Sequence, residues 1–171
     1  MSYLLAFNLE HLDPVARRNF KPPYKLSEHC VVIHKNLYRV EKLDLGTIRK
    51  ILRESRLHNY YLFEDGEKGS NWLFVFMSSL FRRGATGKDI LLRRINRRIL
   101  TQLHRFVEEY EAKYITENVY LFRDHPDKLL DYIDNLYPEF SGEWREIGFT
   151  PSRVAREYRY ELIKVKVLDK L

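Results

Sequence analysis

Seven apolar residues, Leu92, Ile95, Ile99, Leu103, Phe106, Tyr110 and Tyr114, recur at spacings of three and four. At 3.6 residues per turn this spacing lines them along one stripe, so the sequence predicts a single long amphipathic helix over Lys88–Tyr114. Thr86 is its expected N-cap, with Asp89 three residues on in a capping-box-like start. A helix with so continuous a stripe must bury it against another layer.

The remaining signals are mixed. Cys30-Val31-Val32-Ile33 is a β-branched run that predicts a strand extending towards Val40. Asp44 is the expected N-cap of a helix to about Leu57, with Leu45, Ile48, Ile51 and Leu52 on one face. Tyr60–Phe63 and Trp72–Met77 flank the polar, glycine-bearing stretch Glu64–Ser70 and read as a hairpin. Val119–Phe122 predicts a strand, and Pro126 opens a helix that Pro138 ends. Trp144–Phe149 and Tyr158–Leu168 predict two more strands. In the latter the apolar parity shifts between Leu162 and Ile163, which predicts a bulge or a break.

Lys21-Pro22-Pro23 is the sharpest punctuation. It divides an N-terminal arm, residues 1–23 with the apolar stretch Tyr3–Leu9, from a single α+β domain over residues 24–171. No internal repeat is visible. The predicted class is α+β: an antiparallel or mixed sheet, one long amphipathic helix, and a C-terminal helix and strands. The central order of strand, helix, strand, strand, helix, strand, over about Cys30–Arg123, resembles the ferredoxin-like fold. That arrangement hosts RNA-binding, nuclease and regulatory domains, so it implies no single function.

Composition narrows the class further. A hydrophobic fraction of 44% and an aromatic fraction of 14% argue against disorder. No apolar run approaches the roughly 18 residues that a membrane span needs. The N-terminal apolar patch lacks a basic leader and a small-residue cleavage site, so no signal peptide is expected. Cys30 is the only cysteine, which rules out an intrachain disulfide and a multi-cysteine zinc site. A reducing, cytoplasmic setting is the resulting expectation. Arginine exceeds lysine, and Gln102 is the only glutamine, a balance compatible with a thermophilic source.

The charge is concentrated. Arg82, Arg83, Lys88, Arg93, Arg94, Arg97, Arg98 and Arg105 are opposed within their segment by Asp89 alone, giving +7 in a chain of net charge +6. On a helical projection Arg94, Arg98 and Arg105 fall in a narrow arc opposite the apolar stripe, with Arg93, Arg97 and His104 in a neighbouring row. Arg93/Arg97 and Arg94/Arg98 are like-charge pairs at i, i+4, each costing about 0.2–0.5 kcal/mol. Glu108, Glu109 and Glu111 near the C-terminal end oppose the macrodipole preference as well. Helix stability therefore does not explain the arrangement, whereas a phosphate backbone does, by charge neutralisation and counterion release. The guanidinium fork suits phosphate oxygens in particular. These eight residues are the predicted nucleic-acid-binding set, for DNA or RNA. Pairing with acidic residues of the tail or of a partner chain is the structural alternative.

Two other functional classes stay open. Glu64, Asp65 and Glu67 could hold Mg²⁺ or Mn²⁺ for a metal-dependent nuclease, although Asp65-Gly66 also reads as an ordinary turn. No other cofactor is predicted. The third class is a protein-interaction or assembly subunit, with the long helix as a homodimer seam. Trp72, Phe74 and Phe76 give one strand face that is wholly aromatic, but the opposite face is apolar too, which predicts a buried central strand. The six histidines are scattered with no His-x-His pair. Gly84–Asp89 is too short between its glycines for a phosphate loop.

Overall fold

The computed structural model describes residues 2–57, 59–78 and 87–170, the side chains of residues 87–89 excepted. In chain order the first part contains β1 (Tyr3–Phe7), α1 (Pro14–Asn19), α2 (Tyr24–Ser27), β2 (Cys30–His34), β3 (Leu37–Val40), α3 (Leu45–Glu54) and β4 (Tyr60–Asp65). The second contains β5 (Asn71–Met77), α4 (Gly87–Glu109), β6 (Lys113–Thr116), β7 (Val119–Phe122), α5 (Asp127–Asp134), α6 (Leu136–Glu139), α7 (Ser141–Ile147), α8 (Pro151–Glu157) and β8 (Arg159–Lys170). Among the described residues eight strands form one antiparallel sheet in the order β2-β3-β1-β4-β8-β5-β7-β6.

That order is the same unit written twice and related by a pseudo-twofold axis. Tyr3, Leu5 and Ala6 of β1 oppose Val40, Tyr38 and Leu37 of β3. In the second half Trp72, Phe74 and Val75 of β5 oppose Phe122, Tyr120 and Val119 of β7 in the same register. On the other side of β1, Leu5 opposes Leu62 and Phe7 opposes Tyr60. Phe74 opposes Leu162 and Phe76 opposes Tyr160 at the equivalent places. The two halves join where β4 pairs with β8, and Asp65 lies directly opposite Val165 at the axis.

Helices cover one face of the sheet in both halves. Leu26, Ile48, Ile51 and Leu52 pack on Tyr3, Leu5, Phe7, Tyr60 and Leu62. In the second half α4 to α8 contribute Leu92, Ile95, Ile99, Leu103, Leu129, Trp144 and Val154, which pack on Phe74, Phe76 and Phe122. Among the described residues no helix covers the opposite face, which is buried against itself. Leu4, Ala6, Leu37 and Phe63 from the first half meet Leu73, Val75, Ile115, Val119 and Val165 from the second. The sheet thus curls until β1 and β6 lie within 8 Å across this interior. Burying large aliphatic and aromatic side chains contributes about 1.5–3 kcal/mol each, so both layers drive the curl.

Several sequence expectations are corrected here. Tyr3–Phe7, assigned to an arm, is a strand between β3 and β4 with every residue buried, as five consecutive apolar side chains require of a strand covered on both faces. The strand from Cys30 towards Val40 is a hairpin instead, because Asn36 adopts a left-handed φ of 63° and reverses the chain. Tyr60–Phe63 and Trp72–Met77 do not form a hairpin with one another, since β8 lies between them. Gly69 permits this, as a Cβ there would lie 2.4 Å from the Val165 backbone.

The central unit expected over Cys30–Arg123 is therefore not formed, and the sheet is larger than predicted. The long helix ends at Glu109, with Ala112 N–H donating to Val107 at 2.8 Å and Glu111 left-handed at φ 54°. Tyr114 consequently lies in β6. Trp144–Phe149 is mostly helix, with Trp144 and Ile147 on one buried face and Gly148 at φ 82° closing the end. Pro138 lies inside α6, after the end of α5 at Asp134. No bulge falls between Leu162 and Ile163. Leu162 packs beneath the helices and Ile163 lines the interior, so the parity shift records burial on both faces.

Candidate nucleic-acid interface

Packing fixes the rotation of α4. Leu92, Ile95, Asn96, Ile99, Leu103 and Phe106 are buried, and Asn96 accepts a hydrogen bond from the Tyr158 hydroxyl. The opposite face must then point outwards, and Arg93, Arg94, Arg97, Arg98 and Arg105 are all exposed. These are five of the eight basic residues singled out in the sequence. Arg82 and Arg83 lie outside the described residues, as do the side chain of Lys88 and the expected Thr86–Asp89 cap.

One of the five is engaged by the protein. The Arg98 guanidinium lies 3.5 Å from Glu143 and 4.6 Å above the Phe140 ring. Arg93, Arg94, Arg97 and Arg105 make no ion pair or side-chain hydrogen bond with a described residue. No described acidic residue therefore pairs with these four. Glu109, at the end of α4, is instead bound by Lys128 at 2.9 Å.

The arginine face borders a groove of about 350 Å³ between α4 and the α5–α6 region. Arg97, Arg98, Thr101, Gln102 and Arg105 form one wall, with Tyr132, Glu139 and Phe140 opposite. Tyr132 also packs on Phe106, ring centroids 5.8 Å apart. Burial, reinforced by the negative charge of Glu139 and opposed by Arg98, pushes its hydroxyl pKa up to about 12. It therefore remains a hydrogen-bond donor at neutral pH. Nothing in the sequence pointed to Tyr132, Glu139 and Phe140, because no motif links them to α4 and only tertiary packing brings them together.

A second, larger groove of about 820 Å³ lies where the β2–β3 and β6–β7 turns meet the start of β8. His34, Lys35, Glu117, Arg156, Glu157 and Arg159 line it, and Lys35 pairs with Glu117 at 2.9 Å. Its charges are mixed in sign, unlike those of the α4 face.

The carboxylates considered for a metal are differently disposed. Glu64 and Asp65 belong to β4, and Glu67 lies in the connection to β5. Asp65 is bound by the Arg39 guanidinium and accepts from the Ser2 hydroxyl at 3.3 Å. Among the described residues no group of three His, Cys, Asp or Glu side chains gathers as metal ligands. Cys30 is half-buried, and that burial pushes its thiol pKa up, away from thiolate reactivity. Among the described residues no helix is long and apolar enough to cross a membrane. Comparison with protein-family models, curated proteins and solved structures returns no match.

Proposed function

We propose that this protein binds nucleic acid by docking the outward face of α4 on the phosphate backbone. The observation that carries the reading is a row of exposed arginines, four of them without a described partner, on a helix whose rotation is fixed by a buried stripe. Uncompensated like charges at i, i+4 cost stability and gain nothing within the fold. A polyanion reverses that balance, since each phosphate neutralised releases condensed counterions. The expected contacts are Arg93, Arg94, Arg97, Arg98 and Arg105, continued by Lys88, Arg82 and Arg83. The ligand is DNA or RNA, and phosphate contacts of this kind give affinity with little base readout.

The scaffold for this face is, in our reading, a tandem of two ferredoxin-like units sharing one sheet, with α4 as the first crossover helix of the second. A single cysteine fits a reducing, cytoplasmic setting.

Salt-titrated binding to oligonucleotides tests the proposal. Affinity should fall steeply with salt. An Arg94→Ala/Arg98→Ala double variant should bind more weakly with a shallower slope, by about 0.7–0.9 for each phosphate it no longer neutralises. Affinity indifferent to salt, or an unchanged double variant, would sink it.

A further inference from the structure

We infer that the groove between α4 and α5–α6 takes one unpaired nucleobase, so that the arginine face holds single-stranded nucleic acid in preference to duplex. The inference rests on the proposed docking of phosphates along α4. It adds a second interaction of different chemistry.

The two walls of the groove differ in the way that the two ends of a nucleotide differ. Arg97, Arg98 and Arg105 stand on the α4 side, where they favour phosphate. Glu139 stands on the other, where it repels phosphate and accepts hydrogen bonds from amino groups. A nucleotide presents an anionic phosphate at one end and a flat base, often bearing an amino group, at the other. The groove's volume of about 350 Å³ is at the small end of the range for ligand sites, roughly 300–1,000 Å³.

The groove also offers surfaces for stacking. Tyr132 contributes an aromatic ring, and the Arg98 guanidinium lies over the Phe140 ring at 4.6 Å. Bases stack on tyrosine rings and on guanidinium planes, the usual means of gripping unpaired nucleotides. The polar atoms are available as well. Arg97, Gln102, Arg105 and Tyr132 make no side-chain hydrogen bond to a described residue, whereas the Thr101 hydroxyl is used on the Arg97 carbonyl at 2.8 Å.

Duplex cannot use this groove, because its bases are stacked and their amino edges paired. An unpaired base can, and the Glu139 carboxylate favours cytosine, adenine or guanine over thymine or uracil, which lack an exocyclic amino group.

The experiment is fluorescence anisotropy with the full chain and four probes of equal length: oligo-dC, oligo-dT, an abasic strand and a duplex. Oligo-dC should bind roughly tenfold or more tighter than the abasic strand, in line with stacking of a single base. Tyr132→Leu, which preserves apolar packing on Phe106, should bring oligo-dC down towards the abasic level and leave duplex binding unchanged. Tyr132→Phe should retain the oligo-dC affinity, and Glu139→Gln should erase the preference for oligo-dC over oligo-dT. Thermal melts of each variant establish that it is folded. Equal affinity for oligo-dC and the abasic strand, or an equal loss in the Phe and Leu variants, overturns the groove while salt-dependent binding to α4 stands. No salt-dependent binding to any probe overturns both.

Discussion

Asn36 and Asn118 occupy the same place in the two halves of the chain. Each adopts a left-handed conformation, φ 63° and 62°, at the turn of a hairpin. The carbonyl of Asn36 accepts from Phe7 N–H at 2.9 Å, and that of Asn118 accepts from Phe76 N–H at 2.9 Å. Two residues before each turn-forming pair, Ile33 and Ile115 are the extra residues of equivalent β-bulges. The residues immediately before the two asparagines, Lys35 and Glu117, form an ion pair across the pseudo-twofold.

Substitutions at the two asparagines should therefore behave alike. Asn36→Val and Asn118→Val place a β-branched residue where φ is positive and should each cost about 1–2 kcal/mol. Glycine at either position should be close to neutral. Denaturant unfolding of the four variants checks this, and a large difference between the two sites would argue against their equivalence. The Lys35–Glu117 pair is itself exposed, and Lys35→Ala should cost at most about 1 kcal/mol.

Gly69 should be the least replaceable residue of the connection between β4 and β5. A Cβ there would sit 2.4 Å from the Val165 carbonyl, a backbone atom of a central strand that cannot swing aside. Gly69→Ala should destabilise by about 1–3 kcal/mol or more, as overpacking against backbone does. Gly142, with open space where a Cβ would be, is the control. Thermal melting of the two alanine variants separates them.

Folding and binding contributions of the arginines should come apart. Arg98 holds Glu143 and covers Phe140, so Arg98→Ala should cost about 1 kcal/mol, small because the side chain is largely exposed. Arg94 touches no described partner, and Arg94→Ala should leave stability within about 0.5 kcal/mol. Both should weaken oligonucleotide binding. Chemical denaturation read beside anisotropy tests the distinction.

Alkaline pH should loosen the packing around α5 and β6. Tyr132 and Tyr114 have hydroxyl pKa values pushed up to about 12 from 10, each chiefly by burial. The second is reinforced by the neighbouring Glu10 carboxylate. A raised value means the folded state favours the protonated form. The associated stability is whole below pH 10 and is lost as pH rises from about 10 to about 12. Tyrosinate absorbance and melting temperature followed together over that window should show it, with a weaker fall in Tyr132→Phe.

How much of the fold and the site was legible in the residues depended on whether the signal was local. The stripe from Leu92 to Phe106 set the rotation of α4, so the outward direction of Arg93, Arg94, Arg97, Arg98 and Arg105 followed from spacing alone. Asp44 was readable as a cap because its carboxylate accepts from Thr47 N–H three residues on, at 2.7 Å. The internal repeat was not readable, because its matching identities, such as Phe7 with Phe76, Tyr38 with Tyr120 and Tyr60 with Tyr160, are isolated residues separated by connections of different length in the two halves. Leu162 and Ile163 misled because alternation identifies a face only when one side is wet. Trp144 misled because aromatics suit strands, and its helical setting depends on tertiary partners, including a hydrogen bond to the Leu136 carbonyl at 2.9 Å. Tyr132 and Glu139 became neighbours of the arginines only through the docking of α5 and α6 on α4.

The position of β8 has a consequence for how the chain assembles. Its residues, 159–170, come after every other element, yet the strand runs through the middle of the sheet with β4 on one side and β5 on the other. Until it arrives, each half has an open edge, and the short link from Gly66 to Ser70 holds those edges about one strand's width apart. During synthesis the nascent chain thus carries a vacant slot bounded by two unsatisfied backbone ladders, a site that invites mispairing with other chains. Closure is a late insertion with large sequence separation on both sides, since Asp65 of β4 and Asn71 of β5 both pair with Val165, which favours slow folding.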